Sequence, residues 1–126
     1  MALKVLVVDD EPYMHRLLQH HFHRAGYETL NASNGREAVE LAQRESPNLI
    51  VMDVMMAEMD GLTALKELKK SDATNAIPVI MITASAYHVT QQEAETSGAA
   101  LFLTKPFSPT QLLMAVRTLV PEVGKT

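Results

Sequence analysis

The chain of 126 residues contains no cysteine, which excludes disulfides, thiolate nucleophiles and cysteine-ligated zinc or iron–sulfur centres. No apolar run approaches the roughly 18 residues that a membrane helix requires. Met1 to Lys4 lacks the basic, apolar and cleavage regions of a secretory signal. These absences predict a soluble, cytoplasmic protein without membrane contact. Basic residues are the minority, 11 Lys+Arg against 15 Asp+Glu for a net charge of −4, which argues against direct nucleic-acid binding by this chain. Internal repeats, low-complexity blocks and phosphate loops of the GxGxxG or Walker type are also missing.

What remains is the composition of one globular domain, with 47% hydrophobic and 21% charged residues. We expect it to span residues 1–121, with 122–126 a C-terminal tail or the start of a linker. Five strand-length apolar runs recur at Leu3 to Val8, Tyr27 to Asn31, Leu49 to Met52, Ile77 to Ile82 and Ala100 to Leu103. Four are nearly continuous in apolar residues, as parallel strands covered on both faces are; Tyr27 to Asn31 is more polar, as an edge strand is. Helical spacing fills the gaps, at Tyr13 to Ala25, Gly35 to Glu45, a segment capped by Asp60, a weak segment at Tyr87 to Thr96, and a last one with Ser108 as cap and Pro109 at its first position. Alternation with crossover-length connections predicts an α/β fold, a three-layer (βα)5 sandwich around an open parallel sheet. Such sheets bind ligands at the carboxyl ends of their strands.

The residues at those ends are Asp9, Asp10 and Glu11, then Asp53, Thr83 and Lys105, up to 96 positions apart. Any single Asp after a strand is an ordinary turn former. Three carboxylates brought together need a proton or a cation between them. Oxygen-only ligation favours a hard divalent ion, and one that keeps several waters is Mg²⁺. Asp9, Asp10 and Asp53 against Lys105 leave a net charge that one Mg²⁺ cancels. The ion, the Lys105 ammonium and the Thr83 hydroxyl would then surround the oxygens of a phosphoryl group in transfer, and a carboxylate can take that group as an acyl phosphate.

Five segments carry a resemblance to the receiver domain of two-component response regulators: VLVVDDEP at Val5 to Pro12, SNGREAVELA at Ser33 to Ala42, PNLIVMDVMMAEMDG at Pro47 to Gly61, PVIMITA at Pro78 to Ala84 and GAALFLTKPF at Gly98 to Phe107. Their order, with 30 positions from Asp53 to Thr83 and 22 from Thr83 to Lys105, extends the resemblance from Leu3 to about Val120. It implies a flavodoxin-like topology with strand order 2-1-3-4-5. It also implies that Asp53 is the phosphoacceptor, charged from a phosphohistidine on a sensor histidine kinase or a histidine phosphotransfer domain. Asp10 would hold Mg²⁺ directly, Asp9 directly or through water, with Asp53 and the backbone carbonyl of Met55 completing the set. Thr83 would bond the phosphoryl group, Lys105 would pair with Asp53, Lys105 to Pro106 would be a cis peptide, and Phe102 would be the switch aromatic. The changed face of the fourth helix, last strand and last helix would act on a downstream protein or an attached output domain, or form a phosphorylation-dependent dimer. Met55 and Ser85 would tune a slow self-dephosphorylation. Ala57, where the family most often has Pro, and Ala100 and Leu101, in place of a polar pair, depart from the pattern.

His15, His20, His21 and His23 share the first helix, but no pair has the i,i+4 spacing of a metal site. His21 reads as a partly buried core neighbour and the others as a solvated face. Met52 reads as sheet core, and Met55, Met56 and Met59 as loop packing. Three other readings compete: a small Mg²⁺-dependent phosphohydrolase with Asp53 as nucleophile, a flavin carrier, and a receiver-like domain acting only by protein contacts. The first would want an acid where Met55 stands. The second would want a Gly/Ser/Thr loop where DDEP stands. The third is at odds with the complete set of Asp9, Asp10, Asp53, Thr83 and Lys105.

Overall fold

Near-continuous runs of Val, Leu, Ile and Met suit strands buried on both faces, and the covering helices need only one apolar stripe each. The computed structural model describes residues 3–54, 56, 59–83, 91–105 and 107–120. Its elements alternate as β1 (Lys4–Val8), α1 (Pro12–Arg24), β2 (Glu28–Ala32), α2 (Gly35–Glu45), β3 (Leu49–Asp53), α3 (Gly61–Lys70), β4 (Val79–Thr83), α4 (Gln91–Thr96), β5 (Leu101–Thr104) and α5 (Pro109–Leu119). All strand pairs are parallel, in the order β2-β1-β3-β4-β5. The expected (βα)5 flavodoxin-like fold is the one observed. Residues 121–126 lie outside the described residues.

Side-chain alternation divides the core into two layers. Leu6, Val8, Ile50, Met52, Val79 and Met81 pack with Ala38 and Ala42 of α2, Ala64, Leu65 and Leu68 of α3, and Ala94 of α4. Val5, Val7, Leu49, Val51, Ile80 and Ile82 pack with Leu18 and Phe22 of α1 and Leu112 and Val116 of α5. Every residue of β3 and β4 is buried, whereas β2 buries only Ala32, as an edge strand should. The other edge, β5, has no fully buried residue.

Three caps read from sequence act as caps. Glu37 N–H donates to Asn34 Oδ1 at 2.9 Å, Thr63 N–H to Asp60 Oδ1 at 2.8 Å, and Thr110 N–H to Ser108 Oγ at 3.1 Å. Several boundaries differ from expectation. The run at Ile77 to Ile82 gives a strand over Val79–Thr83. Pro78 has no N–H to join a ladder, although its carbonyl accepts from Ile50 N–H at 3.0 Å. Tyr27 precedes β2, and its ring meets that of Phe22 edge-on at 5.9 Å. The fourth helix is described over Gln91–Thr96; residues 84–90 lie outside the described residues. Among the described residues no helix is long and apolar enough to cross a membrane.

Candidate functional site

Alternation places Asp9 on the same face as Val5 and Val7, and Asp53 on the same face as Leu49 and Val51. The β1/β3 register pairs Val8 with Met52, so the chain positions that follow, Asp9 and Asp53, sit side by side at the carboxyl rim. Both are buried, at 3% and 6% exposure. Lys105 arrives from the end of β5, where its N–H donates to the Thr83 carbonyl at 2.7 Å. Its Nζ donates to Asp53 Oδ2 at 2.8 Å and reaches Asp9 Oδ2 at 3.4 Å. The structure thus joins three residues that are as much as 96 positions apart in sequence.

Charge in this buried place shifts the titration of both Asp9 and Lys105. Burial pushes the Asp9 carboxyl above its usual 3.8; the Glu11 backbone N–H and Lys105 oppose that shift, and the charge of Asp53 adds to it. Burial alone would lower Lys105, but the hydrogen bond and charge of Asp53, followed by those of Asp9, outweigh it and raise the ammonium above 10.5. The cation is therefore held in its charged form by the two carboxylates it serves.

Beside this ion pair the carboxylates of Asp9, Asp10 and Glu11 offer oxygens that all lie within 4.8 Å of one another. The donors are carboxylate oxygens only, and Asp10 and Glu11 face solvent. Such a set fits a hard, partly hydrated divalent cation and would suit a soft metal poorly. Glu11 was not among the residues singled out from sequence as ligands; its place directly after Asp9 and Asp10 was the available signal.

The backbone around Asp53 is tightly packed. Gly61 N–H donates to the Val54 carbonyl at 2.9 Å, and a Cβ on Gly61 would stand 2.3 Å from the Asp53 carbonyl oxygen. The MDG sequence at Met59 to Gly61 therefore needs its glycine for close approach. Thr83 is fully buried at the end of β4, and Phe102 is half-buried against the layer containing Met81, with which it is paired in register. Thr83 and Phe102 share that sheet face by alternation. Met55, Ser85 and Pro106, with the expected cis peptide, lie outside the described residues, as do Tyr87 and Ala57.

His15 departs from the solvated face expected for it. It is half-buried, with Nε2 2.6 Å from the Asp9 carbonyl oxygen and Nδ1 3.2 Å from Asn31 Oδ1. His20 and His23 are exposed and His21 is half-buried, as expected.

Residues 5–117 match the response regulator receiver domain family. Among curated proteins, the chain is 38% identical over 120 residues to the alkaline phosphatase synthesis transcriptional regulatory protein PhoP of Bacillus subtilis, a match covering 95% of this chain and 49% of that protein. It is 36% identical over 126 residues to the transcriptional regulatory protein SrrA of Staphylococcus aureus, covering 100% of this chain and 51% of that one. The chain thus spans about half the length of these relatives. Among solved structures, the chemotaxis response regulator CheY4 of Vibrio cholerae superposes with a TM-score of 0.87 at 32% identity, covering 95% of this chain and 100% of that one. The signal receiver domain of a signal transduction histidine kinase from Syntrophus aciditrophicus superposes at 0.88 with 35% identity, covering 99% and 95%. A match running from the second residue of β1 into the last turn of α5, over a sheet with the strand order that the resemblance implied, settles the family: this chain is a response-regulator receiver domain.

Proposed function

We propose that Asp53 is the acceptor of this receiver domain, taking a phosphoryl group from a phosphohistidine on a sensor kinase or histidine phosphotransfer protein. A carboxylate oxygen of Asp53 forms the new O–P bond as the P–N bond to the donor imidazole breaks, and the imidazole leaves with its electron pair. The observation that carries this reading is the Lys105 ammonium 2.8 Å from Asp53 Oδ2. It holds the carboxylate in place before transfer and offers its charge to the phosphoryl oxygens afterwards.

Asp10 and Asp9 would hold Mg²⁺, with Asp53 and the Met55 carbonyl as further ligands and Glu11 alongside. Bound there, the ion supplies positive charge to the phosphoryl oxygens. Asp9 already uses both carboxylate oxygens, Oδ1 accepting from Glu11 N–H at 2.9 Å and Oδ2 facing Lys105. Asp10 faces solvent, which supports Asp10 as the direct ligand and Asp9 as one acting through water. Thr83 would bond a phosphoryl oxygen, and its shared sheet face with Phe102 supports a readout through α4, β5 and α5. That the curated relatives are transcriptional regulatory proteins about twice this length supports output through an attached segment or a partner. Met55, a thioether, and Ser85, a short hydroxyl, give little to orient an attacking water, consistent with slow self-dephosphorylation.

Intact mass after incubation with acetyl phosphate and Mg²⁺ tests the acceptor. The chain should gain one phosphoryl group and D53N should gain none; equal labelling of D53N overturns the assignment.

A further inference from the structure

The Asp10 carboxylate has no hydrogen-bond partner among the described residues, so the backbone that carries it is the only part of Asp10 that its neighbours hold in place. That backbone is fixed at two points on Asp9. The Asp9 N–H donates to the Ala32 carbonyl at 3.1 Å, and the Asp9 carbonyl oxygen lies 2.6 Å from His15 Nε2. A carbonyl only accepts, so Nε2 carries the hydrogen in this contact. The Asp9 carbonyl belongs to the Asp9–Asp10 peptide plane, and because that plane is rigid, holding its oxygen fixes where the Asp10 Cα and the turn that follows stand relative to the Asp9 side chain. The imidazole is itself held from behind, by its contact with the Asn31 carboxamide at the end of β2 and by its place in the first turns of α1, where His15 N–H donates to the Glu11 carbonyl at 3.4 Å.

We propose that His15 is a positioning residue of the cation site: by fixing the Asp9–Asp10 peptide it makes the Asp9, Asp10 and Glu11 carboxylates converge. The proposal rests on the reading of these residues as the Mg²⁺ site. It assigns His15 no contact with the ion or the phosphoryl group. Outer-shell groups of this kind typically alter metal affinity without altering the ligand list.

The test is a Mg²⁺ titration of the full chain followed by NMR on the backbone amides of Asp10 and Glu11, a readout independent of phosphoryl transfer. H15A should raise the half-saturating Mg²⁺ concentration about tenfold. H15Q, whose carboxamide N–H reaches about as far as Nε2, should restore the parent value. If H15A does not give a dispersed spectrum, H15L replaces it as the variant of similar bulk without a donor. A donor-free variant that binds Mg²⁺ like the parent overturns the proposal, as does an H15Q as weak as H15L. A parent whose Asp10 and Glu11 amides do not respond to Mg²⁺ overturns the metal reading as well, so the two failures are told apart.

Discussion

At the β1/β3 end of the carboxyl rim every polar atom of Asp9 is engaged, with its N–H on Ala32, its carbonyl on His15, Oδ1 on Glu11 and Oδ2 on Lys105. Beneath it β3 is buried along its whole length and β1 along all but Lys4. The β5 end is built differently. No residue of β5 is fully buried, and Phe102 is only partly buried against the layer that holds Met81 and Ala94. Under the proposed function the two ends would do different work: chemistry that depends on fixed charges would sit where the sheet is over-determined, and a readout requiring movement would sit where rearrangement costs least.

The comparison breaks first on stability. Leu6, fully buried in β1, should cost about 3 kcal/mol when cut to Ala, within the range for large-to-small core changes. Half-buried Phe102 should cost less, about 1–2 kcal/mol as F102A, because part of its surface stays exposed in the folded chain. Urea unfolding of the two variants decides the point, and an F102A loss as large as that of L6A would show that β5 is no looser than β1.

The next effect is kinetic. K105M removes the cation that faces both Asp9 and Asp53, and labelling by acetyl phosphate should slow by about 100-fold, the scale of losing one preorganised charge at a transferring group. A loss of less than about tenfold would place the important positive charge elsewhere on the rim. The raised Lys105 ammonium also stabilises the fold at every pH below 10.5, and this contribution is lost as pH climbs through its folded value.

Much of this was legible in the sequence because the signals were local or additive. Asn34, Asp60 and Ser108 cap helices through bonds spanning two or three residues, and a cap needs no knowledge of the rest of the chain. The rim residues were found because strands of one parallel sheet end on one side. What escaped was set by three-dimensional placement. Helical periodicity puts His15 on a face of α1 but cannot say that the carbonyl of Asp9 turns back to meet it. The start of β4 was misplaced because Ile77 and Pro78 look like strand by hydropathy, while only the ladder shows where pairing begins. The inclusion of Glu11 depended on the turn geometry after β1.

A smaller effect tests whether the over-determined end is stable in its own right. Burial holds the Asp9 carboxyl above 3.8, so the folded chain binds its proton more tightly than the unfolded chain does. Stability therefore falls as pH rises from 3.8 through the raised value, and the ionised Asp9 weighs against the fold at neutral pH. D9N, without Mg²⁺, should be more stable than the parent by about 1 kcal/mol at pH 7, with the advantage disappearing below 3.8. Thermal melts across that range check the sign, and a D9N less stable at pH 7 would mean that Lys105 and the Glu11 N–H more than offset the burial of charge.

The smallest expected effect separates a ligand from a neighbour. Glu11 stands in the acidic cluster, yet its backbone is already committed, its N–H to Asp9 Oδ1 and its carbonyl to the amides of Met14 and His15 that open α1. Its side chain makes no capping bond and faces solvent, so E11Q should leave the turn as it is and remove only a charge. A charge acting across solvent is screened within about 10 Å at 0.1 M salt. Mg²⁺ affinity of E11Q should therefore fall by about two- to fivefold at low ionic strength, and the difference from the parent should shrink as KCl is added. A carboxylate that touched the ion would behave otherwise, because loss of a direct ligand is felt equally at both ionic strengths. Titrations at low and high KCl thus decide whether Glu11 only attracts the cation, leaving Asp10 as the exposed ligand, or joins Asp10 in holding it.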